Sequence, residues 1–196
     1  MNMMLSEHES LAFISGRRSV FPKELEDEEV NRDESIRPFE ATRWAPTHKV
    51  TEPWRFVVVQ GEALTEFRDI IEKVIIEKGL GKDPIEEKIA CTFSKLDRVS
   101  ALIAIVMKRD DRERIPEEEE QWATACAVQN VQLHAKSLSI GCYWSTGAGR
   151  EHSTVRSFLG LAETDFHMGW LFIGRYSAEK RLIKERRPVS DYTKWL

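Results

Sequence analysis

A chain of 196 residues is long enough for one sizeable hydrophobic core, so we expect a single domain over residues 1–196. Hydrophobic residues make up 41% of the chain and charged residues 32%, a composition that excludes disordered and fibrous classes. The net charge of -4 offers no broad positive field to nucleic acid or to an anionic membrane, so neither is expected as a partner.

The amino terminus and the cysteines indicate the cellular compartment. The first twenty residues lack the basic start and long apolar run of a secretion signal, and no later stretch has the length of a membrane span. Cys91, Cys126 and Cys142 are odd in number and include no CxxC pair, which is typical of reduced thiols. We therefore expect a soluble cytoplasmic protein.

Helices and strands alternate along the first half of the chain. Residues 54–60 are aromatic and β-branched, which favours a strand covered on both faces. Over residues 62–78, apolar side chains recur on one helical face. In chain order the expected elements are a helix over 5–15 ended by Gly16, a solvated charged stretch over 23–34, a helix through Ile36, Phe39, Ala41 and Trp44 to Pro46, the strand over 54–60, the helix over 62–78 and a helix after Pro84.

The second half contains a continuous apolar run and a long helix. Residues 100–108 are apolar over the length of a strand, which predicts a buried central strand. Pro116 followed by four glutamates favours the start of a helix, because carboxylates face the positive end of the helix dipole. This helix is expected to run to about Leu138, with strands over 141–145 and 167–174 and a tail over 180–196 of little periodicity. The acidic runs are interpreted as solvated faces.

The helix after Pro116 is apolar around nearly its whole axis between Trp122 and Ala135. That pattern predicts a helix buried on several sides, which either a subunit interface or the centre of a monomer explains. Helices alternating with strands predict helices around a sheet but leave the strand directions open.

Common signatures of catalysis are absent from this sequence. There is no GxGxxG, GxxxxGKS, HExxH or GxSxG pattern, so Rossmann, P-loop, zincin and hydrolase interpretations lose support. Metal binding is not expected, because the five histidines have no ligand-like spacing with one another or with the cysteines. They are His8, His48, His134, His152 and His167.

The first positive signal is the triplet Arg17-Arg18-Ser19, just after the first predicted helix. Two guanidinium groups beside a hydroxyl can hold a phosphate dianion through charge-assisted hydrogen bonds. Taken alone, such a triplet is more often a solvated turn than a phosphate site.

Three later segments give the triplet a context. Residues 45–56 read APTHKVTEPWRF and lead into the first strand, residues 141–147 read GCYWSTG after the long helix, and residues 169–174 read GWLFIG near the end. With the triplet and in this order, they resemble the nitroreductase family across most of the chain.

The resemblance implies an α+β sandwich with a mainly antiparallel sheet flanked by helices, and an intertwined homodimer with FMN at its interface. Arg17, Arg18 and Ser19 would hold the FMN phosphate and ribityl chain from one subunit. Trp44 and His48 would reach in from the other subunit, although a loop histidine bound to nearby backbone remains the alternative for His48.

Further expected flavin contacts come from two later stretches. Trp144, Ser145 and Thr146 match the family segment that meets the flavin, although Trp144 fits the core equally well. In the tail, residues 184–188 resemble a closing basic segment, where Arg186 or Arg187 would complete the phosphate site and a solvated basic patch is the alternative.

Two positions depart from the pattern of the family. Trp44 stands where relatives often have arginine, and Glu52 stands where many have glutamine. A carboxylate at position 52 would repel negative charge on reduced flavin unless it turned away or formed an ion pair.

The resemblance implies an NAD(P)H-dependent oxidoreductase that reduces an electron-poor acceptor such as a nitroaromatic or a quinone. No catalytic protein residue is expected, because flavin N5 carries the hydride. The alternative function is a flavin-binding protein without turnover, serving as a carrier or sensor, or an FMN-degrading enzyme.

Overall fold

Four antiparallel strands form the centre of the fold in the computed structural model, which describes residues 5–79, 84–147, 149–177 and 185–196. The strands are β1 (Trp54–Val59), β2 (Ala101–Met107), β3 (Ile140–Ser145) and β4 (Phe166–Arg175), in the spatial order β1-β2-β4-β3. The helices are α1 (Glu7–Ser15), α2 (Arg32–Ile36), α3 (Glu62–Lys78), α4 (Ile85–Leu96), α5 (Glu117–Ser137) and α6 (Ser153–Phe158). The antiparallel sheet with its flanking helices confirms the expected α+β fold.

The central strand β2 explains why its sequence is apolar throughout. All seven residues are buried, because successive side chains point to opposite faces and helices cover both faces. Leu102, Ala104 and Val106 pack in one cluster with residues of α3, α4 and α6. Ala101, Ile103 and Ile105 pack in a second cluster with residues of α5 and with Phe39.

The two outer strands differ in how far they are covered. β1 lies at one edge of the sheet, where Arg55 is exposed and the residues at 56–58 are only half-buried. The sequence predicts a strand covered on both faces, but β1 is only partly covered. β3 lies at the other edge, and the Val20 N–H donates to the Cys142 carbonyl at 2.9 Å. The chain after α1 therefore runs along the free edge of β3.

Helix α5 buries one face and leaves part of another exposed. The buried positions follow a helical repeat and are Glu120, Ala123, Thr124, Ala127, Val128, Val131 and Ala135. Trp122 is 61% exposed, and Cys126 and Gln129 lie on the same exposed side. A single chain therefore does not bury this helix on several sides, so the centre of a monomer does not explain its apolar composition.

The prediction of one helix from Ile36 to Pro46 is wrong in its details. α2 ends at Ile36, and residues Arg37–Trp44 form a 3-10 helix. Pro38 explains the change, since it has no N–H to continue the α-helical ladder. Phe39 is buried as expected, whereas Trp44 is 82% exposed.

The charged stretch over 23–34 and the region after β3 differ from what their sequence predicts. Leu25 and Val30 are buried inside the charged stretch over 23–34, so that stretch is not wholly solvated. The short helix α6 was not expected from the sequence. In the part of the chain that the structure describes, no helix has the length and apolar character needed to cross a membrane.

Candidate functional site

The turn after α1 holds its two arginines between α5 and β3. Arg17 Nη1 donates to Gln132 Oε1 of α5 at 3.1 Å. Arg18 Nη1 donates to the carbonyl oxygens of Ser15 and Arg17, while its Nε atom is buried without a hydrogen-bond partner. A buried N–H without a partner costs about 1–3 kcal/mol, so an adjustment of the turn that gave this atom an anionic acceptor would be favourable. Ser19 is exposed beside it.

The end of β3 brings the second predicted group to the same edge of the sheet. The Trp144 Nε1–H donates to the Met168 carbonyl at 3.2 Å, and Ser145 Oγ accepts from the Gly147 N–H at 3.3 Å. Thr146 follows as an exposed residue. The strand rise places the α-carbons of Cys142 and Ser145 about 10 Å apart. The arginine turn, anchored next to Cys142, and residues 144–146 therefore lie along one continuous edge.

Glycine at position 169 allows a close approach of β4 to the end of β3. Its φ is +120°, and a Cβ added there would lie 2.6 Å from the Ser145 carbonyl oxygen and 3.0 Å from Thr146 Cα. Both contacts are with backbone, which cannot rotate away. The Ser145–Thr146 turn therefore depends on a residue without a side chain at position 169.

Gly169→Ala is expected to destabilise the protein by about 1–3 kcal/mol through this strained backbone, with more from the clash with Ser145. Gly160→Ala is the matched control, because Gly160 also has a positive φ of +66° but an added Cβ meets nothing within 4 Å. Urea unfolding of the two variants tests the expectation. Equal losses of stability would show that the close approach to Ser145 is not the cause.

Trp44 lines a groove between the 3-10 helix and the C-terminal half of α5. The groove has a volume of about 590 Å³, and the Asn130 amide donates to the Ala41 carbonyl at its floor at 3.2 Å. The lining residues are Phe13, Glu40, Ala41, Trp44, Asn130, Leu133 and His134. An indole exposed to 82% beside Phe13 is an apolar surface without a partner in the described chain.

His48 lies at the other end of α5, in a loop of unusual backbone geometry. Its Nδ1 atom is 2.6 Å from Glu119 Oε2 of α5. Lys49, Val50 and Glu52 have φ values of 51°, 52° and 45°, a region that is rare for residues with side chains and especially for β-branched valine. The Glu52 side chain is exposed and forms no ion pair with a described residue. The partner of His48 in this chain is therefore a side chain of α5 rather than nearby backbone, and its contact with a flavin remains a prediction.

The tail arginines lie on the surface of the chain. Arg186 and Arg187 are exposed, and Arg186 Nη1 is 3.5 Å from the neighbouring Glu185 carbonyl. Lys184 lies outside the described residues. Residues 17–19 therefore lie beside β3 near Cys142, and residues 144–146 lie at the end of the same strand, with Ser145 lining a pocket on the side of α3 and α4. His48 is at the opposite end of α5 from Arg17, and the role of the tail arginines remains a prediction.

The family of the chain is decided by comparison with known proteins. The model of the Nitroreductase family matches residues 14–175. The chain belongs to the nitroreductase family. Among the relatives of this nitroreductase, "Putative NAD(P)H nitroreductase YfhC" of Bacillus subtilis is 30% identical over 91% of this chain and 89% of the relative. "Putative NAD(P)H nitroreductase YdjA" of Escherichia coli K12 is 31% identical over 66% of this chain and 69% of the relative.

Solved structures agree on the fold of this nitroreductase. A nitroreductase-like family protein from Bacillus cereus superposes with a TM-score of 0.81 at 25% identity, covering 100% of this chain and 98% of the other. The FMN-dependent nitroreductase NfnB from Mycobacterium smegmatis, solved with NADPH, has a TM-score of 0.72 at 16% identity, over 95% of this chain and 97% of the other. At 16% identity, the likeness to NfnB shows the fold alone.

Charged residues near the start of α5 in this nitroreductase form a network that the sequence analysis missed. Glu120 is fully buried, pairs with Arg109 and accepts from the Asp110 N–H at 3.0 Å. Arg114 donates twice to Asp110, at 2.8 and 3.0 Å, and lowers the pKa of that carboxyl from 3.8 to about 2. The interpretation of the glutamate run as a solvated face is therefore wrong for Glu120. The spacing of Glu120 from the buried Ala123 and Ala127 was the signal that could have revealed it.

Cys142 is the buried cysteine of the three, next to the arginine turn. Burial raises the pKa of its thiol to about 12, while the nearby Arg17 guanidinium acts in the opposite direction. A thiol with this pKa stays protonated at neutral pH and is not a nucleophile. Cys142 is therefore a core residue of the nitroreductase.

Proposed function

We propose that this nitroreductase binds FMN and uses NAD(P)H to reduce an electron-poor organic acceptor, such as a nitroaromatic or a quinone. The observation that carries the proposal is the buried, unpartnered Nε atom of Arg18, in a turn that runs beside the end of β3. The names of relatives support the same activity, since they describe NAD(P)H nitroreductases and an FMN-dependent nitroreductase with NADPH.

The chain's own residues fit a phosphorylated flavin. Two guanidinium groups and the Ser19 hydroxyl offer donors to a phosphate dianion, and Arg18 Nε has no competing partner within the protein. From there, residues 144–146 continue along the sheet edge and would meet the ribityl chain and the ring. Arg186 or Arg187 would add a further positive charge at the phosphate.

When bound, FMN would supply the redox chemistry, because its ring accepts hydride from NAD(P)H and passes electrons to the acceptor. The protein supplies binding, orientation and exclusion of water. Arg17 and Arg18 would neutralise the phosphate, and the glycine at 169 would keep the main chain of Ser145 and Thr146 close to the ring. None of these roles needs a protein nucleophile.

We propose further that the whole chain is one FMN-binding domain and that two copies complete the site as a homodimer. His48 contacts α5 near Glu119, and Arg17 contacts it at Gln132, about 20 Å away along the axis at the rise of an α-helix. His48 would therefore serve the flavin of the other subunit. The family resemblance assigns the same role to Trp44, although its groove lies at the Gln132 end of α5. Exposed apolar side chains on α1, α5 and the tail support an interface, among them Leu11, Phe13, Ile14, Trp122, Tyr192 and Trp195.

The test begins with purified protein. A yellow preparation of dimeric mass, from which FMN is released on denaturation, would support the proposal. Anaerobic addition of NADPH or NADH should then bleach the flavin absorbance within the turnover time. Protein that takes up no added FMN would refute the proposal, and bound FMN that stays oxidised would favour a flavin-binding protein without turnover.

A further inference from the structure

The contact between His48 and Glu119 joins two segments that lie far apart in the chain. His48 Nδ1 is 2.6 Å from Glu119 Oε2, across 71 residues of sequence. The His48 side chain is 55% exposed and the Glu119 side chain 33% exposed, so the pair lies at the surface. A carboxylate at neutral pH can only accept hydrogen bonds, so Nδ1 must carry the hydrogen.

The loop that carries His48 is held at two further points. Lys49 Nζ donates to the Arg114 carbonyl at 3.2 Å, and the Glu52 N–H donates to Thr47 Oγ1 at 3.1 Å. These contacts keep residues 47–52 in a conformation with three left-handed residues, which is unfavourable without support. The support comes from the loop after β2 and from α5, which are themselves fixed by the Arg114–Asp110 and Arg109–Glu120 pairs.

We propose that Glu119 is a positioning residue for His48, holding Nδ1 by its hydrogen and leaving Nε2 as the ring nitrogen presented to the flavin. This inference rests on the proposed function, in which His48 reaches a flavin of the other subunit. The hydrogen bond selects one tautomer and one ring orientation before the ligand arrives. Less side-chain freedom is then lost on binding, which increases affinity.

The position of Glu119 within the glutamate run distinguishes it from its neighbours. Glu117 accepts from the Gln121 amide, and Glu120 is buried with Arg109, while Glu118 is exposed. Glu118 and Glu119 carry the same charge in the same first turn of α5, so their effects on the helix dipole are alike. Glu118→Ala is therefore a matched control for Glu119→Ala.

The first measurement is the tautomer of His48, read from imidazole ¹H–¹⁵N correlation spectra of FMN-free protein. At a pH high enough for imidazoles to be neutral, the wild type and Glu118→Ala should show His48 with its hydrogen on Nδ1. Glu119→Ala should lose that preference, and Glu119→Gln should keep it, because an amide oxygen also accepts. An unchanged tautomer in Glu119→Ala would overturn the proposal.

The second measurement is FMN affinity by fluorescence titration. Glu119→Ala should weaken binding about two- to fivefold, the range for a partly exposed polar contact at the surface, whereas Glu118→Ala should match the wild type. In a His48→Ala background, Glu119→Ala should cause no further loss of FMN affinity, since Glu119 acts on the flavin through the His48 imidazole. An equal loss with and without His48 would overturn the positioning role.

The two proposals fail in different ways. Wild-type protein that takes up no FMN refutes the proposed function and, with it, the role of the pair in flavin binding. The tautomer measurement needs no FMN, so it still decides whether Glu119 orients His48.

Discussion

Arg18→Ala is expected to weaken FMN binding about 10- to 100-fold, because a hydrogen bond to a charged group contributes roughly 1.5–3 kcal/mol. Arg18 Nη1 is bound to backbone carbonyls, which anchors the guanidinium, and the buried Nε has no partner in this chain, so a small adjustment of the turn would let it donate to a phosphate. Titration of FMN-free protein with FMN, followed by flavin fluorescence, measures the change.

Two further variants separate the geometry at Arg18 from charge alone. Arg18→Lys keeps the charge but loses the planar donor arrangement, so its affinity should lie between those of the wild type and Arg18→Ala. Arg32→Ala removes an exposed arginine at the start of α2, outside the residues proposed to bind the flavin, and it should bind FMN like the wild type. Undiminished affinity in Arg18→Ala would remove Arg18 from the phosphate site.

The strands and long helices could be predicted because local pattern and tertiary environment agree. The apolar run over 100–108 became the fully buried β2, and the segment after Pro116 became α5, which begins at Glu117 and ends at Ser137. Where a single residue breaks a pattern, the prediction is wrong. Pro38 lies inside an apparently helical spacing, so the chain forms a 3-10 helix and leaves Trp44 exposed.

The candidate site could be predicted only in part. The resemblance to the nitroreductase family identified residues 17–19 and 144–146 separately, and the hydrogen bond between Val20 and Cys142 explains why they lie on one edge of the sheet. No spacing rule links positions so far apart in the chain. For the same reason the pairing of His48 with Glu119 could not be predicted, since each residue alone has the character of an ordinary surface residue.

Glu120→Ala is expected to destabilise the protein by about 3–5 kcal/mol, the range for removing one partner of a buried ion pair. The Glu120 side chain is fully buried, and that of Arg109 is 18% exposed, so the remaining guanidinium would be largely buried without its counter-charge. Asp110 would also lose the acceptor of its backbone N–H. Urea unfolding compared with the wild type measures the loss.

Glu118→Ala provides the comparison, because it removes an exposed carboxylate from the same turn and should change stability by no more than about 0.5 kcal/mol. A double variant, Arg109→Met with Glu120→Leu, removes both charges and should recover most of the stability, since no unpaired charge then remains buried. If Glu120→Ala lowered the free energy of unfolding no more than Glu118→Ala does, the Arg109–Glu120 pair would not be the contact that fixes the start of α5. The loop that carries His48 would then need another explanation for its position, because its contacts with Arg114 and Glu119 depend on that start.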